Sequence, residues 1–284
     1  MTNRGPVPSL RSQWLGEKMR DLRKAAGISQ KYAGEYLQRD MSTISRYESG
    51  EYPLRRVDLL ALLSIYGVSD EKTRTALLQL CDEHWRTNWW DQHRDDFGRD
   101  FINLPWLESR ADRICSYQHM LMEGLLQTRS YAETVIRFAE EGSASDEQIQ
   151  RWVELRMDRQ QVLDGDDATH LSVILEEYVL DRIIGGPDVW RAQLEQLLAG
   201  SARDNVEVRL MPATQAPHAG HLGSFMLFDM PDPFPQVAHL DTHAGGLFVE
   251  EPKVHNMRRV WEDLSSRAID PERSAQLIAT RLEE

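Results

Sequence analysis

His218 and His221 stand three residues apart beside a Pro/Gly turn, and His239, Asp241 and His243 follow within a five-residue window. Imidazole and carboxylate are ligand types that suit zinc or iron. On an extended strand the second set would share one face, because side chains alternate with period two. No HExxH and no paired CxxC accompanies them, so they read as loop histidines and strand-end polar residues, and neither a metal nor a cofactor is expected. Glu176 and Glu177 are adjacent carboxylates at a strand end. Neighbours on a strand point to opposite sides, which suits solvation or pairing with arginine better than acid–base work. The Gly185-Gly186-Pro187 run follows a helical stretch and reads as a stop and restart. No GxGxxG, GxxxxGK or GxSxG string occurs, and by this inventory the chain is not expected to be an enzyme.

The elements that would carry these residues follow from periodicity. Helical spacing runs through about 105–120 and 129–140 and again over 146–163. Stretches 171–176, 206–211, 224–229, 237–241 and 247–249 alternate or run apolar with β-branched residues between Pro/Gly turns, which predicts strands. Helices are expected at 178–184 and 187–199, then at 252–268 and 271–283. Strands grouped between helices argue for an α+β domain over 99–284 with a mostly antiparallel sheet. Upstream, residues 70–98 place Leu77, Cys81, Trp85 and Trp89 on one helical stripe of a connecting helix. That stripe would meet either a second copy or the chain's own C-terminal domain.

Residues 9–68 form the other domain. Leu15, Met19, Leu22 and Ala26 predict the inner face of a helix over 9–26, ended by Gly27. Ser29 and Asp40 are natural N-caps for helices over 30–37 and 41–48. Gly50 stops the latter, and a fourth helix over 56–66 would turn Val57, Leu60 and Leu63 inward. Residues 29–50 thus read as two short helices joined by a tight turn, a helix-turn-helix whose second helix lies in a DNA groove.

Charge is divided accordingly. The chain carries a net −13, yet residues 1–66 hold 11 Lys and Arg against 7 Asp and Glu, which leaves −17 for the rest. A mildly basic end on an acidic body favours one docking orientation toward phosphate. Cys81 and Cys115 form no motif and fit a reducing compartment. The longest apolar run, 59–65, is broken by Ser64 and is far short of a membrane span. With no secretory-type segment at the N-terminus, a cytoplasmic protein is expected.

Ser29-Gln30, Ala33, Leu37, Ile44-Ser45, Glu48, Gly50 and Pro53 together resemble the Xre (lambda/Cro repressor-like) helix-turn-helix family. The resemblance implies that Met41, Ser42, Thr43 and Arg46 face base edges. There Arg46 would offer a fork to guanine O6/N7 and the Thr43 methyl would meet a thymine methyl. It implies that Gln30 donates to a phosphate, and it matches Arg23 and Glu48 to an ion pair that sets the angle of the reading helix. Ser45 would touch backbone or pack, and Lys31, Arg55 and Arg56 would flank the phosphates. Met41 stands where the family often has Gln and cannot make a bidentate contact to adenine. Such units pair, so a homodimer on a pseudo-palindromic double-stranded operator is implied.

Further along, Glu123-Gly124-Leu125-Leu126-Gln127-Thr128 with Tyr131-Ala132, residues 156–160, Glu176-Glu177, residues 182–186, Gln193-Leu194 and Gly223-Ser224-Phe225 form a second set. They resemble the C-terminal domain of the WhiJ-like developmental regulators of filamentous bacteria. That resemblance implies a transcriptional regulator whose C-terminal domain senses a small-molecule effector or a small acidic partner protein. The alternative is an antitoxin-like, partner-sequestering protein that binds DNA mainly for autoregulation.

Overall fold

A computed structural model describes residues 9–85, 103–140, 142–215, 217–232, 234–242 and 245–283. The chain divides into two compact units, one of residues 1–104 with 232–234, the other of 105–231 with 235–284.

The first unit is helical. Its helices are α1 (Leu10–Ala25), α2 (Gln30–Tyr36), α3 (Met41–Glu48), α4 (Arg56–Ile65) and α5 (Glu71–Trp85). Each of the first three begins at a side-chain cap. Ser9, Ser29 and Asp40 accept from the backbone N–H groups of Ser12, Tyr32 and Thr43, satisfying donors that an uncapped helix start would leave bare. Gly27 and Gly50 take positive φ just past the ends of α1 and α3, where a Cβ would be strained. Leu15, Met19, Ala33, Ile44, Leu59, Leu62 and Leu63 are buried between the helices.

Three expectations for this unit need correction. Ala26 is exposed, and the buried stripe of α1 runs through Trp14, Leu15 and Met19 to Arg23. Val57 is 71% exposed, whereas Asp58 beside it is buried and accepts a hydrogen bond from Tyr47 Oη at 2.9 Å. The polar partner pulls Asp58 inward and rotates α4 away from the phase that its apolar residues suggest. The stripe at the start of the expected connecting helix packs within this unit: α5 lies against α1 and α4, with Leu77, Leu80 and Cys81 buried there. Cys81 Sγ donates to the Leu54 carbonyl. Trp85 is half exposed, and Trp89, with the expected run to 98, lies outside the described residues.

The second unit is α+β. Its strands β1 (Arg113–Gln118), β2 (His170–Glu176), β3 (Val206–Met211), β4 (Phe225–Asp229), β5 (Val237–Thr242) and β6 (Gly245–Val249) form one sheet. The order is β3-β2-β1-β4-β5-β6. The β1–β4, β4–β5 and β5–β6 pairs are antiparallel, and β1–β2 and β2–β3 are parallel. Parallel neighbours need crossovers. After the short α6 (Asn103–Glu108), α7 (Arg129–Ala139) and α8 (Asp146–Arg159) connect β1 to β2. α9 (Pro187–Ser201) connects β2 to β3, and α10 (Val254–Arg267) and α11 (Pro271–Glu283) end the unit. One face of the sheet, with Cys115, Tyr117, Ile174, Met211, Phe225 and Leu227, is buried against Val254, Trp261 and Leu264 of α10.

The expected strands and most of the expected helices are present. Residues 113–118, expected within a helix, are instead the strand β1 between β2 and β4. Ile114, Cys115, Ser116 and Tyr117 are all buried, so the stretch shows no alternation. The helix expected at 178–184 is a 3-10 turn, Glu177–Asp181. No helix among the described residues is long and apolar enough to cross a membrane.

Candidate nucleic-acid interface

The start of α3 is organised by Asp40. Its Oδ1 accepts from Thr43 N at 2.8 Å, Ser42 Oγ at 2.6 Å and Thr43 Oγ1 at 3.1 Å. These bonds, that from Ser42 first, hold the Asp40 carboxyl below its usual pKa range. The hydroxyls of Ser42 and Thr43 are therefore turned back on the cap. Met41, 56% exposed, stands at the first position of the helix. Ser45 and Arg46 are exposed. Arg46 Nη1 donates to Tyr52 Oη at 2.8 Å, and its guanidinium lies 4.9 Å from the centre of the Tyr52 ring. Such an exposed cation–π contact is worth only about 0.5–1 kcal/mol, so it aims the side chain without trapping it. Tyr52 was not singled out in the sequence; an aromatic residue six positions after the arginine and just before Pro53 was the available signal. Tyr32 and Tyr36 of α2 are also half exposed.

Gln30 is placed differently from its expected role. Its Nε2 donates to Glu48 Oε2 at 2.7 Å, which commits one of the two N–H donors of the amide. Lys31 pairs along its own helix with Glu35 at 3.9 Å. Arg55 is exposed at the start of α4, and Arg56 pairs with Asp82.

Behind the reading helix, Arg23 Nε and Nη2 donate to the two Glu48 carboxylate oxygens at 2.5 and 2.9 Å, and Arg23 Nη1 donates to the Ile28 carbonyl at 2.8 Å. α1 also approaches the end of α3 with backbone alone. A Cβ on Gly16 would lie 2.5 Å from the Tyr47 carbonyl oxygen. Gly16→Ala should push the two helices apart and cost about 1–3 kcal/mol, the range for forced overpacking. Hydrogen exchange of the α1 and α3 amides would measure this, and an unchanged rate would contradict it.

In the second unit the sheet regroups the histidines. Tyr117 Oη, near the end of β1, donates to Glu176 Oε1 at 2.5 Å, at the end of β2. His218 Nε2 lies 3.2 Å from the same oxygen, and the His218 and His221 rings meet edge to face with centroids 4.2 Å apart. Glu177 points elsewhere and accepts from Ala213 N, as adjacent strand-end carboxylates should. His239 is buried, with Nε2 3.7 Å from Asp241 Oδ1; His243 lies outside the described residues. Glu176, rather than the 239–243 set, thus joins His218 and His221.

Family comparison finds two matches. Residues 14–77 match a helix-turn-helix domain, a span that runs into α5. Residues 101–280 match a domain of unknown function, DUF5753. No curated protein and no solved structure matches the chain. The helix-turn-helix match, with an exposed α3 on a buried strut, makes the first unit a DNA-binding element, and the pairing fits a regulator of the Xre/WhiJ type. The chain belongs to the DUF5753 family and carries a helix-turn-helix domain at its N-terminal end.

Proposed function

We propose that the protein is a cytoplasmic, sequence-specific transcriptional regulator that binds a pseudo-palindromic operator as a homodimer through residues 9–68. Residues 99–284 act as its control domain, responding to a small effector or a small acidic partner protein. The observation that carries the DNA reading is the exposed Met41 and Ser42 at the start of α3 with Arg46 one turn on, backed by the buried Arg23–Glu48 pair. Met41 offers apolar contact alone, so base discrimination rests chiefly on Arg46, with Thr43 and Ser42 released from Asp40 on binding. Gln30 serves the phosphate with its second N–H, and Lys31, Ser45 and Arg55 flank it.

Fluorescence anisotropy of the full chain on DNA from its own upstream region tests this reading. Arg46→Ala should weaken specific binding by about 1–3 kcal/mol and relax base preference at one position of each half-site. Unchanged affinity and preference would remove α3 from the groove. Because Arg46 is exposed, the substitution tests recognition without disturbing the core.

A further inference from the structure

We propose that Glu176, His218 and His221 bind a divalent first-row transition ion, with zinc the closest fit, in an open three-ligand site. One potential ligand atom from each residue lies within 4.8 Å of the others. A tetrahedron with bonds of about 2.1 Å has edges of about 3.4 Å, so a modest contraction completes the set. His221 is exposed, with its ring against that of His218. Two imidazoles and one carboxylate form a mixed nitrogen and oxygen set of the kind zinc accepts, with the fourth position left to water.

The burial of His218 sets which ring nitrogen can serve the ion. The His218 side chain is 1% exposed, and its Nδ1 is buried without a hydrogen-bond partner among the described residues. A neutral imidazole carries one N–H and one lone pair. Nε2 stands 3.2 Å from Glu176 Oε1, so an ion shared with Glu176 takes the lone pair on Nε2 and leaves the proton on Nδ1.

The surroundings support such a site. Tyr117 Oη and His218 Nε2 both approach the Glu176 carboxylate at Oε1. Tyr117 thereby orients a ligand from the outer shell. A Cβ on Gly220 would lie 2.4 Å from Tyr117 Cζ, so the turn bearing the two histidines is laid flat on the tyrosine ring. The site also stands at the carboxyl ends of the parallel strands β1 and β2, where sheets of this kind commonly bind ligands.

Full-length protein stripped by a chelator and titrated with Co(II), then with Zn(II) in competition, tests the site. One ion per chain should bind, with visible cobalt bands of a four- or five-coordinate site. His221→Ala should weaken binding by at least about 100-fold and Tyr117→Phe by about 10–100-fold. His255→Ala, an exposed histidine outside the set, should change nothing. Substoichiometric cobalt, or native affinity in His221→Ala, overturns the proposal. DNA binding is measured separately, so either result leaves the regulator reading intact.

Discussion

Replacing Glu48 by alanine is expected to remove about 3–5 kcal/mol of stability from the helix-turn-helix unit, because the buried Arg23 charge loses the carboxylate that balances it. Arg23 is 9% exposed and holds both Glu48 oxygens. The bond to Glu48 raises the Arg23 pKa further, so the guanidinium cannot escape by losing its proton. Gln30 loses its acceptor in the same substitution. The variant should show faster exchange of α1–α4 amides in the full chain, with the α+β unit unaffected. The double variant Arg23→Met, Glu48→Leu separates charge from shape. Apolar replacement of a buried pair is often neutral or better, so most of the stability should return. DNA affinity should stay reduced, since nothing then anchors Gln30 at the head of α2. If the double variant binds DNA as well as the native protein, the pair does not aim the reading helix.

That network was largely legible in the sequence. Capping residues Ser29 and Asp40, stop residues Gly27 and Gly50, and the Arg23–Glu48 pair are local or family-scale signals, and local signals survive folding. What was not legible shares a different cause. Val57 misled because a hydrogen bond to Tyr47 outweighed the apolar pattern of α4. The strand β1 was hidden because a central strand buried on both faces lacks alternation, and Arg113 and Gln118 at its ends gave the stretch a helical look. The α5 stripe, expected to meet a second copy or the C-terminal domain, packs on α1 and α4 instead, because periodicity reveals an apolar face without naming what covers it. The histidine grouping failed for a related reason. His239 and Asp241 are close in sequence and touch, but the carboxylate that reaches His218 comes from β2, two strands away from β4 in the sheet. Only the parallel β1–β2 pairing places Glu176 over Tyr117.

The same physics sets the second large effect, in the α+β unit. Arg159 at the end of α8 donates through Nε and Nη2 to the Glu108 carboxylate at 2.8 and 2.6 Å, and Glu108 is fully buried at the end of α6. Thr169 Oγ1 donates to the Glu108 and Ala111 carbonyls, so this pair fixes where the chain enters β1 and β2. Burial drives the Glu108 carboxyl upward and Arg159 opposes it. Arg159→Met should cost about 3–5 kcal/mol near neutral pH, because the carboxylate is left charged and alone. The sign with pH follows. A carboxyl whose folded pKa exceeds its unfolded value binds more protons when folded, so its penalty grows as pH rises from the unfolded value through the folded one, and shrinks on acidification. The deficit of Arg159→Met against the native chain should therefore be smaller at pH 5 than at pH 7.5, read from urea unfolding of the α+β unit. Glu123, Arg156 and Asp241 also bear on the pair. Glu123→Gln in the Arg159→Met background checks that Glu108 is the titrating group: the pH dependence should persist. A deficit equal at both pH values would mean that the vacated space admits water to Glu108 and that the carboxylate is solvated. The double variant Glu108→Gln, Arg159→Met should remove the pH dependence altogether, since no buried carboxyl is then left at that position to titrate.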